Sequence, residues 1–171
     1  GVGLDNIDLD FAKKRNIKIY KTQTTPAPAV AELTLGLMLD LLRKISEQNH
    51  QLKNGIWEKK MGSLLFDKTL GIIGLGTIGK NLIEITQGFR LKYLAHDTKQ
   101  DKEFMEKYNV KYCQLDELLA GSDVVTIHLN LSEETKNIID RSALKKMKQD
   151  AILINTSRGE IIDEKSLMKA M

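Results

Sequence analysis

Leu70-Gly71-Ile72-Ile73-Gly74-Leu75-Gly76-Thr77-Ile78-Gly79 is the stretch on which the fold turns. A short apolar run of strand character feeds directly into G-x-G-x-x-G, and helical periodicity follows over 78–87. A glycine-rich hexamer alone is a weak signal. Between a strand and a helix each glycine acquires a physical reason. Gly74 permits a tight turn, Gly76 lets the backbone come close to a pyrophosphate, and Gly79 lets the helix pack tightly on the strand. Thr77 and Ile78 complete the loop, and the unpaired N–H groups at the helix start suit a phosphate anion.

A dinucleotide site of this kind needs an acid at the end of the next strand, roughly 20 residues on. Asp97 ends the apolar segment Lys92-Tyr93-Leu94-Ala95-His96. A carboxylate there accepts hydrogen bonds from the adenosine ribose and repels a 2′-phosphate, so the expected cofactor is NAD rather than NADP. In isolation Asp97 would read as a solvated loop acid; its position after the strand gives it the binding role.

Outward from this core, strands are expected at 70–73, 92–96, 110–113, 124–128 and 151–155. Helices are expected at 78–87, 101–107, 115–120, 142–147 and 164–171. Such alternation, with strands too apolar to face water, predicts an α/β Rossmann-type doubly wound parallel sheet covered by helices on both faces. The strand at 151–155 is expected as an exposed apolar edge. Upstream, Val30, Leu33, Leu37, Leu41 and Ile45 recur at steps of three or four, predicting one helix over 29–53 that ends before Gly55. Leu35, Met38, Leu39 and Leu42 add a second apolar face. That breadth points to packing between domains or subunits, here a homodimer through 29–53. Residues 1–22 read as a loop, a helix over 9–15 capped by Asp8, and a strand at 17–20. This unit has no core of its own, and a connector bearing Pro26 and Pro28 follows it.

Bulk properties exclude several classes. With 42% hydrophobic and 29% charged residues the chain is of ordinary globular composition. Its net charge of +3 is too modest for a nucleic-acid binder, and Lys145-Lys146-Met147-Lys148 reads as a solvated helix face. Cys113 is the one cysteine, so neither an intrachain disulfide nor a thiolate metal cluster can form; it is expected as a small, partly buried strand residue. No metal site is expected. The most apolar run, Leu33 to Leu42, is interrupted by Asp40 and too short for a membrane span. A cytoplasmic, membrane-free setting is expected.

With these residues in hand, the chain resembles the D-isomer-specific 2-hydroxyacid dehydrogenases, the family of phosphoglycerate, glycerate and D-lactate dehydrogenases. Gly1-Val2-Gly3-Leu4-Asp5-Asn6-Ile7-Asp8 resembles the family's G-x-G-x-D-N-I-D segment. Val30-Ala31-Glu32 resembles the start of its interdomain helix, and Gly55-Ile56-Trp57 its G-x-W stretch, with Trp57 expected to anchor the helix end. His128-Leu129-Asn130-Leu131 is similar to its H-x-P-L turn, and Asn155-Thr156-Ser157-Arg158-Gly159 to its N-x-[SA]-R-G motif. The resemblance implies that Arg158 is the catalytic arginine, whose two-point fork binds the carboxylate of a 2-hydroxy or 2-keto acid and polarises the keto oxygen. It places His128, Leu129, Asn130, Thr156 and Ser157 beside the cofactor. A structural role for His128 competes with that assignment. Asn130 stands where the family has proline, and Thr77 where it often has a basic residue.

Hydride chemistry in the family also needs a histidine held by a glutamate, both beyond the arginine. The stretch after Arg158 contains Glu160 and Glu164 but no histidine. The chain is therefore expected to be a fragment: a substrate-domain remnant over 1–24 and a C-terminally incomplete NAD-binding domain over 25–171. Alone it is expected to bind NAD weakly and not to turn over. Two other readings stay open. One is a non-catalytic, NAD-responsive module of corepressor type that binds a partner through the apolar helix. The other is a different NAD-using Rossmann enzyme, which Arg158 in its motif disfavours.

Overall fold

The computed structural model describes residues 3–4, 6–22 and 26–171. Gly1, Val2 and Asp5 of the opening motif lie outside the described residues, as does the expected 24/25 boundary.

A five-stranded, wholly parallel sheet forms the centre. Its strands are β1 (Thr69–Ile73), β2 (Lys92–His96), β3 (Val110–Tyr112), β4 (Val124–Ile127) and β5 (Ile152–Asn155), in spatial order β3-β2-β1-β4-β5. Because strand side chains alternate between faces, the sheet feeds two cores. Leu70, Ile72, Tyr93, Ala95, Val124 and Ile154 face one core, and Ile73, Val125 and Ile127 the other. The first core is covered by α2 (Ala27–Arg43), α4 (Thr77–Thr86) and α5 (Lys102–Tyr108). The second is covered by α6 (Leu115–Gly121), α7 (Arg141–Lys146) and α8 (Glu164–Ala170). The predicted doubly wound fold is therefore what the chain forms.

Local chemistry sets the boundaries. Asp101, Asp140 and Asp163 cap α5, α7 and α8 by accepting backbone N–H bonds from Phe104, Ala143 and Ser166. Asp8 does the same for Phe11 in α1 (Leu9–Lys14). Gly71 is required by close packing, since a Cβ there would lie 2.2 Å from Ser122 Oγ in the α6 face. Cys113 is buried one residue beyond β3, and that burial pushes its thiol pKa up.

Three expectations need correction. The helix over 29–53 is broken: α2 ends at Arg43, Lys44 takes a left-handed conformation (φ 56°, ψ 38°), and α3 (Ile45–Lys53) begins. The Asp40 carboxylate accepts from Ser46 N and Ser46 Oγ, each at 2.7 Å, and so holds the new helix start. The strand expected at 17–20 does not form, because among the described residues no neighbouring strand completes its ladder; Ile17 and Tyr20 are exposed. Trp57 anchors nothing: it is 88% exposed beside Leu52 and Ile56. Strand β5 lies at the sheet edge as expected, paired with β4 on one side; its side chains are half-buried or buried in the two cores.

Candidate NAD-binding groove and arginine loop

All five strands run the same way, so the segments following β1, β2, β4 and β5 gather along one edge of the sheet. That edge, in open α/β folds, is where ligands bind, at the point where strand order reverses. Here β2 and β4 flank β1 on opposite sides. Asp97 therefore follows β2 on one side of the glycine loop. His128 and Arg158 follow β4 and β5 on the other.

The three loop glycines separate by cause. Gly74 has φ +95°, and a Cβ on it would lie 2.8 Å from the His128 carbonyl oxygen. Gly79 has no room either: its Cβ would meet the Gly74 carbonyl oxygen at 2.7 Å and Ile72 at 3.0 Å, where α4 crosses β1. Gly76 differs. Its backbone (φ −79°, ψ −162°) is open to any residue, and a Cβ would meet no atom within 4 Å. No packing contact and no backbone strain requires glycine there. Gly76 is also the N-cap of α4 and supplies no side-chain cap, which leaves the first-turn N–H groups of Thr77 and Ile78 available to a ligand. An uncapped ten-residue helix at a cleared approach fits an anionic pyrophosphate.

Asp97 is drawn into the loop. Its Oδ2 accepts from Leu75 N at 2.8 Å, and its Oδ1 from Lys99 N at 3.1 Å and Thr98 Oγ at 3.3 Å. The carboxylate thus ties the end of β2 to the glycine turn. His96 contributes a structural contact, with Nδ1 3.1 Å from the Cys113 carbonyl oxygen.

Across the groove, the loop after β5 is knitted by Asn155. Its Oδ1 accepts from Ser157 N (2.9 Å) and Ser157 Oγ (2.7 Å), and its Nδ2 donates to the Arg158 carbonyl oxygen (2.7 Å). This Asx-turn fixes the backbone on both sides of Thr156 and presents Arg158 as an exposed side chain, one of whose NH groups reaches the Ser157 carbonyl at 3.2 Å. His128 N donates to Ile73 O at 2.8 Å, extending the β1–β4 ladder by one residue. The His128 ring lies between Thr126 Oγ, 3.0 Å from Nε2, and Thr156 Oγ, 3.5 Å from Nδ1; burial pushes its pKa down to about 4. Leu129 is half-buried and Asn130 exposed at the same edge. Thr34 and Thr126 stand out only in three dimensions. The one sequence signal was a hydroxyl among the apolar residues of α2. No cluster of metal-ligating side chains occurs among the described residues, and no helix is long and apolar enough to cross a membrane.

Residues 35–171 match the family description "D-isomer specific 2-hydroxyacid dehydrogenase, NAD binding domain". The chain is 43% identical over 169 residues to a hydroxypyruvate reductase of Thermotoga maritima, covering 98% of this chain and 54% of that protein. It is 38% identical over 174 residues to a D-3-phosphoglycerate dehydrogenase of Methanocaldococcus jannaschii, covering 100% of this chain and 33% of that protein. Among solved structures, the apo D-lactate dehydrogenase of Escherichia coli superposes with a TM-score of 0.91 at 32% identity, over 99% of this chain and 54% of that one. The chain thus spans about half the length, or less, of the relatives it matches.

Proposed function

The chain belongs to the D-isomer specific 2-hydroxyacid dehydrogenases and carries their NAD-binding domain, and from that premise we propose how its residues serve the reaction. The pyrophosphate of NAD rests on the Gly74–Gly79 loop and the N–H groups of Thr77 and Ile78. Asp97 accepts the adenosine ribose hydroxyls. His128, Leu129, Asn130, Thr156 and Ser157 line the groove toward the nicotinamide, and Arg158 binds the carboxylate of a 2-hydroxy or 2-keto acid. NAD supplies the hydride acceptor; the protein residues bind, orient and neutralise charge. The exposed position of Arg158 at a strand end favours this role, because a guanidinium fork matches a carboxylate that must approach from outside. The matched relatives are reductases and dehydrogenases, which favours an enzyme over a corepressor-type module.

The whole protein, on this reading, transfers hydride between NAD and a D-2-hydroxyacid in the cytoplasm, with no nucleic-acid partner. The segment before residue 25 belongs to the substrate domain. It is a homodimer through α2 and α3, a role supported by Leu33, Leu37 and Leu41, which are 56%, 36% and 52% exposed along one side of α2.

Gly76 carries the proposal, since packing leaves room for a side chain there and a pyrophosphate would not. In Gly76→Ala the folded chain should lose no more than about 1 kcal/mol of stability, the cost of the N-cap exchange. Its NAD affinity by calorimetry should fall at least tenfold. Equal NAD binding by both proteins, or none by the unaltered chain, overturns the assignment.

A further inference from the structure

Four polar side chains cross from α2 to the sheet edge: Thr34, Thr156, His128 and Thr126. Thr34 and Thr126 are fully buried, so their protons must find acceptors inside the protein. Thr34 Oγ donates to the Val30 carbonyl oxygen at 2.8 Å. Its one proton is used there, so toward Thr156 Oγ, 3.4 Å away, it can only accept. Thr156 gives its proton to Thr34 and is left to accept from His128 Nδ1 at 3.5 Å. A neutral imidazole has a single N–H. Nε2 is then bare, and accepts from Thr126 Oγ at 3.0 Å.

In this arrangement every proton has an acceptor and all run one way, from Thr126 to the backbone of α2. The opposite tautomer, with the proton on Nε2, faces Thr126 with a donor. The buried Thr126 hydroxyl proton then loses its acceptor, and Thr156 must turn away from Thr34 to serve Nδ1. A cationic ring has the same fault, because both nitrogens donate. The two outer contacts of Thr156 are long for hydrogen bonds. The relay therefore selects a tautomer and a side-chain orientation more than it adds energy.

We infer that His128 is held as the Nδ1–H tautomer and that Thr34, His128 and Thr156 form a positioning device through which helix α2 orients the loop carrying Arg158. Thr156 lies two residues before Arg158, on the backbone that Asn155 already knits, so a change in the Thr156 hydroxyl is felt at Ser157 and Arg158. The significance for substrate rests on the reading of Arg158 given above; the proton order does not.

Long-range ¹⁵N–¹H correlation of the imidazoles in the labelled chain tests this directly, with His128 assigned through His128→Gln. The unaltered chain should show a protonated Nδ1 and a bare Nε2. In Thr34→Val, which keeps the shape and loses the hydroxyl, Thr156 loses the acceptor that orients it, while Thr126 still donates to Nε2. The Nδ1 and Nε2 signals should then shift as the Nδ1–Thr156 contact changes, and the amide signals of Ser157, Arg158 and Gly159 should move; Thr34→Ser should restore both. Thr156→Val breaks the same relay from the loop side and should also move the His128 nitrogens, should Thr34→Val fail to fold. A proton on Nε2 in the unaltered chain overturns the inference, as do folded valine variants whose ring and loop signals stay in place. Titrating NAD into the same samples separates the two proposals. The expected tautomer without NAD binding sinks the functional reading alone; NAD binding with a proton on Nε2, or with ring signals that stay in place in the valine variants, sinks the relay alone.

Discussion

His128 sits one residue past β4, with its ring enclosed enough that burial lowers its pKa from 6.5 to about 4. In the unfolded chain the ring takes up a proton near pH 6.5; in the folded protein it resists until about pH 4. Between those values the unfolded state binds more protons, so stability rises with pH through this window and falls as the solution is acidified. The contribution is fully present above pH 6.5, and its loss by pH 4 is at most on the order of 3 kcal/mol. Urea midpoints should therefore drop between pH 7 and pH 4.5 in the unaltered chain and stay much flatter in His128→Gln. Asp101, lowered by its hydrogen bond from Lys80, and Asp163, lowered by Ser166, lose stability only below the ordinary carboxylate range, which keeps the two effects apart. At this scale the sequence was informative where the cause is local. The positive φ of Gly74 and the approach of Gly79 to the Gly74 carbonyl arise inside one loop, and those are written in the motif. The partners of Thr34 and Thr126 were not legible, because they come from other positions of the fold and, for Thr34, from an element far along the chain.

Among the elements, the α2–α3 junction shows what periodicity misses. Apolar residues keep helical spacing from Val30 to Ile45, so the pattern reads as one continuous helix. The backbone nevertheless turns at Lys44, because Asp40 caps Ser46 and the left-handed residue between the helices lets the axis change direction. Hydrophobic spacing records which side is apolar but not whether the hydrogen-bond ladder is unbroken. Lys44 has a Cβ in a conformation that glycine adopts without strain. Lys44→Gly should raise stability by about 0.5–1 kcal/mol, the relief of strain being partly offset by the freer unfolded chain. A thermal midpoint that falls instead would mean that the turn is held by the Lys44 side chain rather than by the Asp40 cap.

For the whole molecule, α2 has two different apolar sides. Ala31, Met38 and Leu42 are buried against the sheet core, while Leu33, Leu37 and Leu41, the more regular series in the sequence, face outward. Burying three leucines at an interface removes enough apolar surface to favour association. In sedimentation velocity at micromolar concentration the unaltered chain should run as a dimer. A Leu37→Glu/Leu41→Glu variant should run as a monomer with unchanged circular dichroism and NAD affinity. A monomeric unaltered chain would remove the dimer proposal and leave the nucleotide site untouched.

The order of strands and helices, the glycine turn and the acid that follows the next strand were all determined by the sequence alone. Each depends on neighbours within one βαβ unit, where spacing along the chain is spacing in space. Tertiary structure alone decided which side of α2 is covered, that Trp57 is left in solvent, and that Thr34 meets Thr156 beside His128. Those facts depend on how separate elements pack, and side-chain contacts across that distance leave no periodicity to read.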